Sequence, residues 1–380
     1  MLSTMFGRKR TNRRLEMKGL SCVVASLCAA SVSAYAQSSV TLYGIIDEGI
    51  TYTSNQRGHS NWQLQSGGAS ISRWGLRGAE DLGGGMKAVF VLEDGFDPST
   101  GNIGNNGALF GRQAYVGLTS RYGSLTLGRQ YEEMGDLLSK INAGLNWSVY
   151  FAHAGDIDNT AGSNRINNAV KYVSPVFAGL SVAGLYSFGG QAGQFSTDSV
   201  KSFGLSYARG PLYVAAAYTY IKNPYTAVFN SVAPNAVSFA AYVPNAQSQT
   251  IAGTGGQYKF GNATIGLEYT TTRFKKAFQG GDVRFDNYEA NLGYQFKPDL
   301  LAGIVFVYTH GKIDSNSESP IYRALGLFTD YYLSKRTDIY AAAEWMKAGG
   351  SATQAQITYD TAPSSGRSQG ILRVGLRHKF

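Results

Sequence analysis

Arg73, Arg77, Arg112, Arg165 and Lys171 fall in segments where apolar and polar residues alternate, so each charge can be assigned to one face of an extended chain. In residues 72–78, Trp74 and Leu76 take one side while Arg73, Gly75 and Arg77 take the other. In residues 165–174, Ile166, Val170 and Tyr172 share a face, opposite Arg165, Asn167, Ala169 and Lys171. Around Arg112 the parity is open. With Gln113 and Tyr115 outward, Arg112, Ala114 and Val116 point inward, and the reverse assignment is also allowed. The acids gather elsewhere: residues 131–164 carry Glu132, Glu133, Asp136, Asp156 and Asp158. Guanidinium groups and carboxylates of these kinds call for no covalent reaction. If the two sets shared one water-filled space, their opposed charges would set up a field that sorts solutes by charge and polarity. The plain alternative is ordinary solvated charge.

Residue sets for covalent chemistry do not assemble. None of His59, His153, His310 and His378 sits in a nucleophile motif, and no cofactor is called for. Both cysteines, Cys22 and Cys28, lie in a segment expected to be removed. Residues 1–36 read as a signal peptide: a basic stretch from Arg8 to Lys18, an uncharged run from Leu20 to Val32, and Ala34-Tyr35-Ala36 as the cleavage site. Residues 37–380 would then hold no thiol, and 28 basic against 24 acidic residues. The whole-chain pI near 9.3 overstates that balance, and nucleic-acid binding loses its compositional support.

The elements that must position these charges are strands. Charged residues make up only 16% of the chain, against about 25% in ordinary globular proteins. Glycine numbers 47, tyrosine 25 and phenylalanine 19. Period-two alternation recurs in segments of about ten residues, the length a tilted strand needs to cross a bilayer. It is clear in Ser124–Gly128, in Ala263–Thr270 and from Leu372 to Phe380. Short turns rich in Gly, Pro, Asn or Asp fall at Asp81–Gly85, Ser120–Gly123, Ser174–Gly179, Arg209–Pro211, Gly261–Asn262, Lys297–Leu300 and Ser334–Arg336. Longer polar loops are expected at 54–68, 98–107, 131–164, 190–198, 224–250, 275–284, 313–321 and 348–366. Seven turns and eight loops join sixteen strands. Short turns at one rim and long loops at the other describe an all-β, antiparallel transmembrane barrel over residues 37–380. Closure leaves no strand edge unpaired in lipid. Tyr43, Tyr52, Trp74, Tyr115, Tyr131, Tyr172 and other aromatics near strand ends suit interfacial girdles.

Several segments resemble one family. Ser39–Gly44 (SVTLYG), Ser72–Gly78 (SRWGLRG) followed by Glu80–Gly83, Arg112–Leu118 (RQAYVGL), Leu127–Tyr131 (LGRQY), Asn164–Tyr172 (NRINNAVKY) and Val374–Phe380 (VGLRHKF) occur in the order seen in Gram-negative porins of the Burkholderia, Bordetella and Neisseria type. The resemblance covers essentially all of residues 37–380. It implies a homotrimer of 16-stranded barrels, each with its third long loop folded into the lumen. It also implies that Arg73, Arg112 and Arg165 line a constriction, with Arg77 and Lys171 on the same wall and Asp136, Asp156 and Asp158 of the loop opposite. The terminal Phe380 resembles the signal read by the outer-membrane assembly machinery. Other implied partners are outer-membrane lipid and lipopolysaccharide.

Passive diffusion of ions and small hydrophilic solutes is the expected function, with a mild preference for anions that weakens as salt rises. Glu93, Asp94 and Glu268 would offset it. A substrate-specific channel and an adhesin-type barrel acting through its loops are the other readings. Loop 224–250 is uncharged and carries Tyr225, Phe229, Phe239 and Tyr242. It would fold over the vestibule, touch lipopolysaccharide, narrow the entrance or hold an extra hairpin.

Overall fold

Alternation builds the expected strands, and glycine-bearing turns end them. A computed structural model describes residues 39–230, 234 and 236–380; the signal peptide expected at 1–36 lies outside the described residues. The strands are β1 (Ser39–Gln56), β2 (His59–Ser66), β3 (Arg73–Gly83), β4 (Met86–Gly95), β5 (Gln113–Ser120), β6 (Gly123–Gln130), β7 (Ile166–Val173) and β8 (Leu180–Ser187). They continue with β9 (Val200–Arg209), β10 (Leu212–Lys222), β11 (Ser248–Phe260), β12 (Ala263–Phe278), β13 (Gly281–Lys297), β14 (Leu300–Ile313), β15 (Pro320–Tyr332), β16 (Thr337–Gly350) and β17 (Ser368–Lys379).

All pairings are antiparallel, and β17 returns to β1 from Ile45↔Lys379 to Thr53↔Ile371. Seventeen strands make sixteen passages. β2 pairs with the Glu48–Gln56 half of β1 and β3 with its Ser39–Ile45 half, so β2 and β3 are one passage interrupted at residues 67–72. Asp47 holds that interruption: its carboxylate accepts the amides of Gly68 (3.3 Å), Ala69 (2.8 Å) and Ser70 (2.7 Å). The fold is therefore a closed 16-stranded antiparallel barrel.

Residue exposure is inverted relative to a water-soluble protein. Leu42, Val116, Leu118, Leu125, Leu127, Phe203, Leu267, Leu292, Phe306, Leu327, Leu372, Val374 and Leu376 all stand exposed on the outer face. An apolar belt that runs round the ring is the surface a bilayer requires. Tyr122, Phe177, Phe260 and Phe296 sit beside the short turns, as a girdle does.

The seven short turns fall where the sequence places them, but two expected loops do not form. β1 and β2 meet at Arg57 and Gly58, and β12 and β13 meet at Gln279 and Gly280. The polar residues of 54–68 and 275–284 are strand that continues as hairpins past the apolar belt. Loop 224–250 forms no hairpin among its described residues. It folds inward: Phe239 stacks on Phe274 with centroids 6.3 Å apart, and Ser238 Oγ donates to Ala154 O at 3.2 Å.

Candidate functional site

The segment between β6 and β7, residues 131–165, touches the inner wall at many points. Leu137 and Glu133 pack on Gly204 of β9, and Leu138 on Gly253 of β11. Ala143 N donates to Glu289 of β13 at 2.8 Å. Trp147 lies over Gly293 and Gly303, where a Cβ at Gly303 would stand 2.9 Å from the ring. Phe151 meets Phe328 of β15 edge-on, and Tyr150 reaches Arg373 of β17. Only a path across the inside of the ring reaches all of these strands. Glutamate caps the short helix Glu133–Leu137 within this segment: the Glu132 carboxylate accepts from the amides of Met134 and Gly135. Burial pushes the Glu132 carboxyl up to about 8.

Beside this loop the arginines converge on one hydroxyl. Tyr131 OH accepts from Arg112 Nη2 at 3.1 Å and also from Arg165. The Arg165 guanidinium lies 4.5 Å from the Tyr131 ring centroid, stacked as a cation on its face. Arg112 Nε donates to Glu93 Oε1 at 2.8 Å, and Tyr43 OH donates to Glu93 Oε2 at 3.0 Å. Arg73 Nε donates to Ile71 O at 3.1 Å, at the interruption between β2 and β3. Neither Arg73 nor Arg165 has a carboxylate within ion-pair distance among the described residues. Three guanidiniums thus meet one paired carboxylate.

The remaining sequence-predicted residues divide. Arg77 is exposed and lies 5.2 Å from the Tyr43 ring centroid, two residues nearer the short-turn rim than Gly75. Lys171 is buried; its Nζ donates to Tyr131 O at 2.9 Å and pairs with Asp136 and Glu133, so its charge is matched locally. Of the three loop acids expected at a constriction, the structure leaves only Asp136 open to water, with its side chain 44% exposed. Asp156 is buried and accepts the amides of Ala161 and Ser163 at 2.9 Å each, shaping the loop. Asp158 is fully buried against His153 and Asn287. Phe380 closes the seam with β1: its backbone exchanges two 3.1 Å hydrogen bonds with Gly44, and its ring covers that glycine.

One open parity is settled and one parity assignment changes. Val116 and Leu118 face outward and Tyr115 inward, opposite to the assignment that put Ala114 and Val116 in the lumen. Arg112 still reaches the lumen because it precedes β5 and escapes its alternation. In β7, Asn168 adopts φ 52° and the register against β6 slips between Gly128 and Gln130. That bulge turns Ile166 inward, against Met134 and Leu138, where strict alternation had it facing lipid.

Three groups were not singled out from sequence. Tyr131, read as a girdle residue, is the hub of the arginine cluster. Arg373 is buried, donating to Tyr340 OH (2.7 Å), Thr51 Oγ1 (2.9 Å) and Asp47 Oδ1 (3.3 Å). Arg377 bridges Asp330 (2.8 Å) and Asp338 (3.0 Å). The available signal was parity: Arg373 and Arg377 share the polar face of β17, as Asp330 and Asp338 do on their strands.

Residues 23–351 match a family model described as Gram-negative porin. Over 376 residues the chain is 31% identical to outer membrane porin protein 32 of Delftia acidovorans, spanning 95% of this chain and 99% of that one. It is 29% identical over 423 residues to an outer membrane porin protein of Bordetella pertussis, spanning 96% and 100%. Its fold is similar to that of an anion-selective porin from Comamonas acidovorans, with TM-score 0.72, 27% identity, and coverage of 90% and 100%.

Proposed function

The chain belongs to the Gram-negative porin family of outer-membrane β-barrel channels, and from that premise we infer that it is a passive channel for ions and small hydrophilic solutes with a mild preference for anions. The observation that carries the preference is the cluster around Tyr131, where Arg73, Arg112 and Arg165 meet Glu93 as their only paired carboxylate among the described residues. A local excess of positive charge beside a water-filled passage raises the concentration of anions there. The similar Comamonas porin is itself described as anion-selective. Asp136 is the loop acid that stands opposite in this reading, partly neutralised by Lys171. Arg77, exposed nearer the short turns, adds a weaker, more solvated contribution.

The channel works without covalent chemistry or a cofactor. Residues 1–36 direct export and are cleaved, and Phe380 presents the last strand to the assembly machinery. A homotrimer is supported by strand length. β5, β6, β7 and β8 have eight residues each. At about 3.3 Å per residue and a tilt of about 45°, such a strand covers about 19 Å of an apolar band about 25 Å tall. A neighbouring copy shields that low stretch of wall from lipid. The test is swelling of liposomes holding the purified protein. Rates should fall steeply with the mass of uncharged sugars, and small organic anions should enter faster than cations of equal size. Equal rates for both charges would remove the anion preference.

A further inference from the structure

Where the lumenal loop meets the wall at β12 and β13, the acids Asp158, Glu268 and Glu289 collect around a single imidazole, His153, with Asp156 nearby in the loop, and all five are buried. Four of the five are fully accounted for. Asp156 accepts two loop amides. Glu289 accepts from Ala143 N (2.8 Å), Asn142 Nδ2 (2.9 Å) and Asn291 Nδ2 (2.6 Å), and lies 3.1 Å from His153 Nε2. Asp158 Oδ2 lies 2.6 Å from His153 Nδ1 and accepts from Asn287 Nδ2 at 3.0 Å. Glu268 differs. It is 4% exposed, and neither of its carboxylate oxygens has a hydrogen-bond partner among the described residues.

We propose that His153, Asp158 and Glu268 bind one divalent transition-metal cation, of the Zn²⁺ or Mn²⁺ class, which clips the lumenal loop to the barrel wall. One donor atom from each of the three lies within 4.8 Å of the others. Ligands around a single ion with bonds of about 2.0–2.4 Å stand about 3–5 Å apart; the 2.6 Å contact between Asp158 Oδ2 and His153 Nδ1 must open by a side-chain rotation to admit the ion between them. Charge balance asks for such an ion. Asp158, Glu268 and Glu289 face one imidazole in a site closed to water, and an unpaired buried carboxylate is among the costliest groups a fold can hold. The donor set selects the metal: imidazole with carboxylates suits zinc and manganese better than all-oxygen calcium. Supporting groups are in place, with Glu289 on the imidazole and Asn287 on Asp158, the outer partners that orient metal ligands. The site joins a loop to a strand more than a hundred residues away, so sequence spacing does not display it. It is separate from the arginine cluster, and its failure would leave the channel reading untouched.

The experiment uses the folded full barrel, stripped with EDTA, dialysed against ZnCl₂ or MnCl₂, and assayed by elemental analysis and calorimetry. One ion per chain should bind, raise the thermal midpoint, and lose at least about tenfold in affinity in Glu268→Gln. Asp314→Asn, an exposed loop carboxylate control just past β14, should bind as the unaltered chain does. Absence of stoichiometric metal, or equal binding by Glu268→Gln, overturns the proposal and leaves Glu268 a protonated acid. Should Glu268→Gln not fold, X-ray absorption on the zinc-loaded unaltered barrel decides. One imidazole nitrogen with carboxylate oxygens supports the site; two or more imidazoles, or none, refutes it.

Discussion

Replacing Arg165 by glutamine removes one full positive charge from the lumen without orphaning a carboxylate, because Arg165 donates to Tyr131 OH and Ser163 O and, among the described residues, to no acid. Arg112 is a poorer choice, since its loss would leave Glu93 unpaired. The size of the effect follows from distance. A unit charge acts on an ion about 5 Å away with about 0.8 kcal/mol in water. With a Debye length of about 8 Å at physiological salt, about 0.4 kcal/mol survives. That is a factor of about two for each ion, in opposite directions for chloride and potassium, and so about fourfold in their permeability ratio. At 1 M salt the Debye length is about 3 Å, and the same change should fall below about twofold. The assay is the zero-current potential of single channels across a KCl gradient, at both salt levels. An unchanged ratio in Arg165→Gln, or a shift toward anions, would refute the reasoning, as would an effect of the same size at both salt levels.

Other outcomes follow from the same geometry. Trp147→Ala empties the site over Gly293 and Gly303; a loss of about 3–5 kcal/mol of local packing should loosen the loop and raise open-channel current noise in bilayers. Asp47→Ala strips Arg373 of its carboxylate and three amides of their acceptor. Leaving a buried cation unpaired costs about 3–5 kcal/mol, to be seen as a lower thermal midpoint in detergent. Glu132 is held protonated by burial, with its carboxyl at about 8 against an ordinary value of 4.5. Folding therefore binds a proton there, and its stabilisation is complete below pH 4.5 and is lost as the pH rises through about 8. Thermal midpoints should decline over that window in the unaltered barrel and decline less in Glu132→Gln. Deleting Phe380 should slow membrane insertion in cells while leaving refolding into detergent largely intact; equal loss in both would make Phe380 a stability residue only.

The barrel was legible because its grammar is local. A turn needs Gly, Pro, Asn or Asp within a few residues, and Gly83–Gly85, Gly210 and Gly261 mark three of the seven correctly placed turns. Loop boundaries were less so. Polar sequence at 54–68 and 275–284 looks the same whether it is loop or strand extending into water, and hydrogen bonding decides. Strict alternation failed at Ile166 because one positive-φ residue, Asn168, shifts the period, and nothing in composition announces a bulge at an asparagine. Among the loop acids, spacing cannot tell a carboxylate turned to water from one that accepts backbone amides, which is how Asp136 parts from Asp156 and Asp158. Tyr131 was hidden for the same reason: its role depends on two arginines that are near it only in the folded ring.

Planar-bilayer recording of the purified, refolded protein tests the central claim most directly. The account predicts stepwise openings in triplets, with a zero-current potential across a KCl gradient that favours chloride. A folded barrel that conducts nothing would contradict it.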